Sequence, residues 1–246
     1  MYKPTTTASA VLALAAATGV SAADFSAWAF GNMFAVGPPA SGAAHITKAT
    51  WSVVPPATPS DATDEKSDPP FLSLWIGVSD SVSDESTALV QPLLNWSPDQ
   101  ESQWPASFAW EIRIADGGGG FAAGQVAQPY VAVPKDTQID FEITATSDKK
   151  TTQKVWINNK IVSQQDDDAG WLPTYLYSSN ECYQNTCGSV AGYTWSNITI
   201  TLSAADEAFG DTLSLTGAAG ALTTADGGMT WTGDVEVDAD HFPAAN

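Results

Sequence analysis

Residues 137–146 read TQIDFEITAT, and this stretch decides the fold class. Ile139, Phe141 and Ile143 fall on one side of an extended chain, with Asp140, Glu142 and Thr144 on the other. Period-two alternation of this kind belongs to a strand with one buried face. SNITITLSA (196–204) repeats it with Ile198, Ile200 and Leu202, and DTLSLTG (211–217) and MTWTGDVEVDAD (229–240) share the texture. FLSLWIGV (71–78) and KVWINNKIV (154–162) are further strand candidates, with Trp75 and Trp156 read as core residues. Gly, Pro, Asn and Asp punctuate the intervals, and few segments carry a 3.6-residue period. Many strands and few helices predict an all-β protein, a two-sheet antiparallel β-sandwich.

The N-terminus, MYKPTTTASAVLALAAATGVSAA, combines Lys3, a short Ala/Leu/Val run, and Val20 and Ala22 at a cleavage-type spacing. Residues 1–22 therefore read as a secretory signal, too short to span a bilayer. Residues 23–44 are expected to form an N-terminal mature segment or a short propeptide, and 45–246 a single sandwich domain. Within the former, DFSAWAFGNMFAVG (24–37) reads either as a strand or as an arm over a sheet. PPATPSDATDEKSDPP (55–70) reads as an exposed loop.

The 246 residues carry 28 acidic and 9 basic side chains, a formal charge of −19. Such a surface repels phosphate, which argues against nucleic-acid and anionic-membrane partners. It suits an extracellular protein in an acidic medium, and a monomer is expected. Cys182 and Cys187, in ECYQNTCG, are the only cysteines and are expected to close a local disulfide loop. The histidines are His45 and His241, both near the chain ends, so no zinc site, serine triad or other metal or cofactor is expected. The acidic runs SDSVSDES (79–86) and QQDDDAG (164–170) read as solvated turns. NIT at Asn197 and NWS at Asn95 are glycosylation sequons.

Ten tryptophans invite a groove reading. Trp96, Trp104, Trp110, Trp171 and Trp195 adjoin polar or turn-like sequence and are candidates to line a cleft for a peptide or a polysaccharide. In FAWEIRI (108–114), Glu111 has two readings. In an aromatic groove its pKa would rise and make it a proton donor; beside Arg113 it would be an exterior charge. Gln91, in LVQPLLNW (89–96), carries an amide that could orient water or stabilise an oxyanion.

These segments together resemble the glutamic peptidases, or eqolisins, and their fungal secreted homologues. TWSVVPP (50–56) is similar to the family's opening strand, LSLWIGVSD (72–80) to its Trp-Val-Gly-Ile-Asp stretch, and LVQPLLNW to the segment carrying its catalytic glutamine, which lands on Gln91. SFAWEIRI (107–114) resembles its groove strand, and KDTQIDFEITATS with QKVWINNKIVSQQ the pair that follows. The resemblance implies a concanavalin-like jelly roll and an acid hydrolase acting through a glutamine–glutamate pair. The family's glutamate strand has its nearest match in CGSVAGYTWSNITITL, where no glutamate occurs from Cys187 to Asp206. The pair would then be incomplete or rewired, with Glu111 on its strand or Glu181 from a loop supplying the acid. The same fold also admits two other expectations: a polysaccharide-binding or polysaccharide-cleaving protein, and a noncatalytic secreted surface protein.

Overall fold

The computed structural model describes residues 28–62, 70–82, 89–98, 105–114 and 123–243, with the backbone alone described over 105–114 and 123–130. The stretch expected to be a signal sequence, Trp104, Asp84, Glu85 and the glycine run at 115–122 lie outside the described residues. The strands, in chain order, are β1 (Trp28–Val36), β2 (Ile46–Val53), β3 (Phe71–Ser79), β4 (Val90–Trp96), β5 (Pro105–Ile114), β6 (Ala123–Ala132), β7 (Ile139–Ala145), β8 (Lys150–Ile157), β9 (Lys160–Asp168), β10 (Tyr175–Tyr183), β11 (Gly188–Val190), β12 (Tyr193–Leu202), β13 (Ser214–Thr216), β14 (Ala218–Thr224), β15 (Thr230–Val237) and β16 (Asp240–Phe242). They form an antiparallel sandwich. Sheet A has the order β13-β1-β10-β3-β4-β5-β6 and sheet B the order β14-β15-β12-β2-β7-β8-β9, with a small β11-β16 sheet at one end. Among the described residues, no helix is long and apolar enough to cross a membrane.

The core between the sheets follows the alternation. Leu72, Leu74, Ile76 and Val78 of β3 meet Ile139, Phe141 and Ile143 of β7 and Ile198, Ile200 and Leu202 of β12 in one buried cluster. Each such side chain contributes roughly 1.5–3 kcal/mol on removal from water. The stretch 28–36 is a strand, and an internal one: β1 pairs with β10 on one side and β13 on the other. KVWINNKIV holds a hairpin rather than one strand. Asn158 and Asn159 both take positive φ, at 53° and 61°, as a tight two-residue turn requires. Trp156 lies half-buried on the outer face of sheet B, since Val155 and Ile157 turn inward.

One further expectation changes. Asp166, Asp167 and Asp168 lie in β9, not in a solvated turn. Asp167 is buried, and its carboxylate accepts hydrogen bonds from Gln165 Nε2 at 2.6 Å and Gln153 Nε2 at 3.2 Å. The polar loop after β2 is tied down at Ser60, which bridges to Ser189.

Candidate functional site on the outer face of sheet A

Because side chains alternate along a strand, filling the core with the even-numbered residues of β3, β4 and β10 sends the odd-numbered ones to the opposite face. The register aligns these into rows. Tyr177 pairs with Gly77, Ser179 with Trp75 and Glu181 with Ser73, while Trp75 pairs with Leu93 and Ser73 with Asn95. Gly77 completes the first row. A Cβ there would stand 2.8 Å from Gln91 Cβ and 3.0 Å from the Val90 carbonyl, so only glycine lets Gln91 lie this close. Gly77→Ala is expected to displace Gln91 or destabilise the sheet, measurable as a lower urea midpoint.

Trp75, Leu93 and Tyr177 form a second apolar cluster separate from the inter-sheet core. Trp75 meets Tyr177 edge-on, with ring centroids 5.4 Å apart at 78°. A second aromatic group lies at the other end of the face, where Trp28 meets Phe71 at 80° and Phe71 stacks on Tyr183 at 24°. Between them runs a polar strip of Ser73, Asn95, Ser179 and Glu181. Ser73 Oγ donates to Asn95 Oδ1 at 2.5 Å.

Glu181 reaches this strip from within β10, not from a loop, and accepts a 3.0 Å hydrogen bond from Trp75 Nε1. Desolvation pushes its pKa up to about 7 against the opposing pull of that bond. The carboxyl is thus neutral through the mildly acid range. Burial likewise pushes the Tyr177 phenol up, with Ser79 lowering it and the charges of Glu181 and Asp80 adding to the rise. Gln91 is buried, and its Oε1 has no hydrogen-bond partner among the described residues. An unsatisfied acceptor in such a place costs about 1–3 kcal/mol, which a ligand donor could recover.

Gln91 and Glu181 share the face but not a row. They stand two strands and four residues apart, roughly 16 Å along the backbone lattice. That is beyond what two side chains and one water span. Across its own row, Gln91 has Tyr177. The register pairs Gln91 with Trp110 and Val90 with Glu111. Directly paired positions share a face, so Glu111 takes the register position of inward-facing Val90 rather than that of Gln91. The side chains of Trp110 and Glu111 lie outside the described residues.

The groove tryptophans divide. Trp96 and Trp195 are core residues between the sheets, at 4% and 1% exposure, not groove residues. Trp195 is misplaced by strict alternation because β12 contains a bulge between Trp195 and Ile198. The extra residue reverses the phase, so Trp195 and Ile198 both face inward. Trp171 packs partly buried against the core. Asn95 is no glycan acceptor in the folded chain, since it is buried and bonded to Ser73. Cys182 and Cys187 form the expected disulfide, anchoring β10 just beyond Glu181. The sequence offers Glu181 only as a loop residue, and the Trp75 bond that marks it spans 106 positions.

No family model and no curated protein matches this chain. Among solved structures it is similar to scytalido-glutamic peptidase bound to a transition-state-analogue inhibitor, at 12% identity over 83% of this chain and 96% of that one, with a TM-score of 0.47. SCP-B, a member of the eqolisin family of peptidases in complex with the tripeptide Ala-Ile-His, gives 12% identity over 84% and 96%, with a TM-score of 0.44. Bacillus licheniformis β-glucanase gives 8% over 87% and 79%, with a TM-score of 0.32. The similarity to the eqolisins is distant and extends over most of the chain; it carries no residue role.

Proposed function

We propose that this is a secreted, glutamic-peptidase-like protein that holds an extended peptide across the outer face of sheet A, where among the described residues no carboxylate stands across the row from Gln91. The observation that carries this reading is the row Gln91–Gly77–Tyr177. Among the described residues, that buried amide oxygen has no donor, and a phenol, not a carboxylate, stands opposite on the β10 side. Activation of water for amide hydrolysis needs a base within direct or one-water reach of the amide that steadies the oxyanion. A peptide N–H can satisfy Gln91 Oε1, and the flanking aromatic clusters can take apolar side chains. A polysaccharide fits less well, because Trp75 and Trp28 meet their neighbours edge-on instead of offering paired flat faces for sugar rings.

The test is a tryptophan-fluorescence titration at about pH 4.5, where exposed carboxylates are half-neutralised, with a reduced, carboxymethylated apolar polypeptide as the probe and mass spectrometry of the mixture. Saturable binding weakened about tenfold or more in Gln91→Ala, with the polypeptide intact, is expected. No binding removes the groove reading. Fragments that vanish in Glu181→Gln would instead establish a second reading, an acid hydrolase with Glu181 as proton donor, which its raised pKa favours.

Secretion and glycosylation at Asn197 belong to the same proposal. Asn197 is exposed at the β12 bulge, with φ 55° and its N–H donating to Asp234 Oδ1 at 2.7 Å. Expression through a eukaryotic secretory route should give a glycan removed by Asn197→Gln and untouched by Asn95→Gln. A glycan retained in Asn197→Gln would place it elsewhere.

A further inference from the structure

A cleft of about 690 Å³, apart from the outer face of sheet A, opens beside the β11-β16 sheet, lined by Thr58, Ser60, Ser189, Ala239, Asp240 and His241 among others. At its wall Ser189 Oγ and His241 Nδ1 share a 2.9 Å hydrogen bond across 52 positions of sequence. The backbone fixes this contact. Ser189 and His241 are directly paired in register. Ser189 spends its own N–H and C=O on Ser60, donating at 2.8 Å and accepting at 3.0 Å. Toward β16 it is therefore a non-hydrogen-bonded pair, the closer of the two kinds, with Cα atoms about 4.5 Å apart. β16 itself is pinned from behind. Asp240 Oδ2 accepts from the Asn32 N–H at 2.6 Å and from Asn180 Nδ2 at 3.1 Å. Gly31 makes that approach possible, because a Cβ there would collide with the Asp240 carboxylate. Asp240 is thereby committed to holding the strand, and the imidazole is left to the serine.

We propose that this cleft is a reactive site in which Ser189 is a nucleophile and His241 its base, acting on small, uncharged acyl esters. The small, mostly uncharged lining residues set the substrate class, and a serine–imidazole pair within hydrogen-bond reach supplies the chemistry. As Ser189 Oγ bonds to the ester carbonyl carbon, its proton passes to His241 Nδ1. The carbon–alkoxide bond breaks and the alkoxide leaves with that proton. Water then attacks the acyl-serine, giving one proton back through His241 to Ser189 Oγ and releasing the acid. The site is independent of the sheet A groove and stands or falls apart from it.

The experiment uses the full chain and a fluorophosphonate probe at about pH 8. The probe forms an Oγ–P bond and expels fluoride together with the serine proton. Intact mass and peptide mapping should show one adduct on Ser189. Ser189→Ala should abolish it, and His241→Gln should slow it by about 10²-fold or more, the usual contribution of a general base. Thermal melts of both variants establish that they fold, and a shared change in melting without loss of labelling overturns the proposal. So does an unlabelled wild-type protein, an adduct on another residue, or a rate unaffected by His241→Gln.

Discussion

Trp195→Ala should lower the free energy of unfolding by about 3–5 kcal/mol, the usual cost of emptying an aromatic site in a packed interior. Trp195 is 1% exposed and wedged between Phe141, at 6.2 Å and 74°, and Tyr193, at 5.5 Å and 81°. For a domain of this size, such a loss lowers the melting temperature by on the order of 10 °C. Were Trp195 a groove residue, the same substitution would weaken ligand binding and leave unfolding nearly unchanged. Urea titration of wild type and variant decides between these outcomes. Trp195→Phe should recover part of the loss, because it keeps an aromatic ring against Phe141. A variant within about 0.5 kcal/mol of wild type, the range of ordinary surface substitutions, would overturn the core assignment.

Glu181→Gln should remove a pH dependence of stability. The folded carboxyl has a pKa of about 7 against 4.5 in its unperturbed state. Between these values the folded protein holds a proton that the unfolded chain has lost, so stability falls as pH rises through the window and the full loss is present above about pH 7. The size is on the order of 1–3 kcal/mol; the upper figure follows from the shift, and solvent at the partly exposed edge of the residue lowers it. The substituted amide cannot ionise, and its oxygen can still accept from Trp75. The difference in unfolding free energy, variant minus wild type, should therefore grow in the variant's favour from about pH 4.5 to 7.5, with other acids cancelling. Denaturant curves that stay parallel across that range would show that Glu181 titrates as an ordinary surface acid. The same titration bears on the groove, because a ligand that needs the neutral carboxyl as a hydrogen-bond donor should bind more weakly as the pH passes about 7.

Much of the architecture is legible in the side-chain pattern, because burial on one face of a strand leaves a period of two. Ile139, Phe141, Ile143, Ile198, Ile200 and Leu202 can be assigned to a core from their alternation alone. The cysteine pair is equally plain, closing a short loop in a chain with no other thiol. The pattern misleads wherever the backbone departs from strict alternation. The bulge after Trp195 adds a residue that no composition reveals, and it converts an apparent groove tryptophan into a core one. Register is a second blind spot. Whether Gln91 and Glu111 share a face depends on which strand positions oppose one another, and the pairing of Val90 with Glu111 is a property of two strands together.

The amino-acid sequence by itself determined that this chain makes strands, that it buries a two-sided core, and that its few bases leave it strongly acidic, because these follow from local alternation and from composition. Only the tertiary structure decided which polar groups meet. Glu181 is desolvated against Trp75, far away along the chain, and Ser189 gains an imidazole from a histidine near the C-terminus. Contacts of that kind are set by strand order and register, which arise when two sheets close over their shared apolar faces and so cannot be read from any one segment alone.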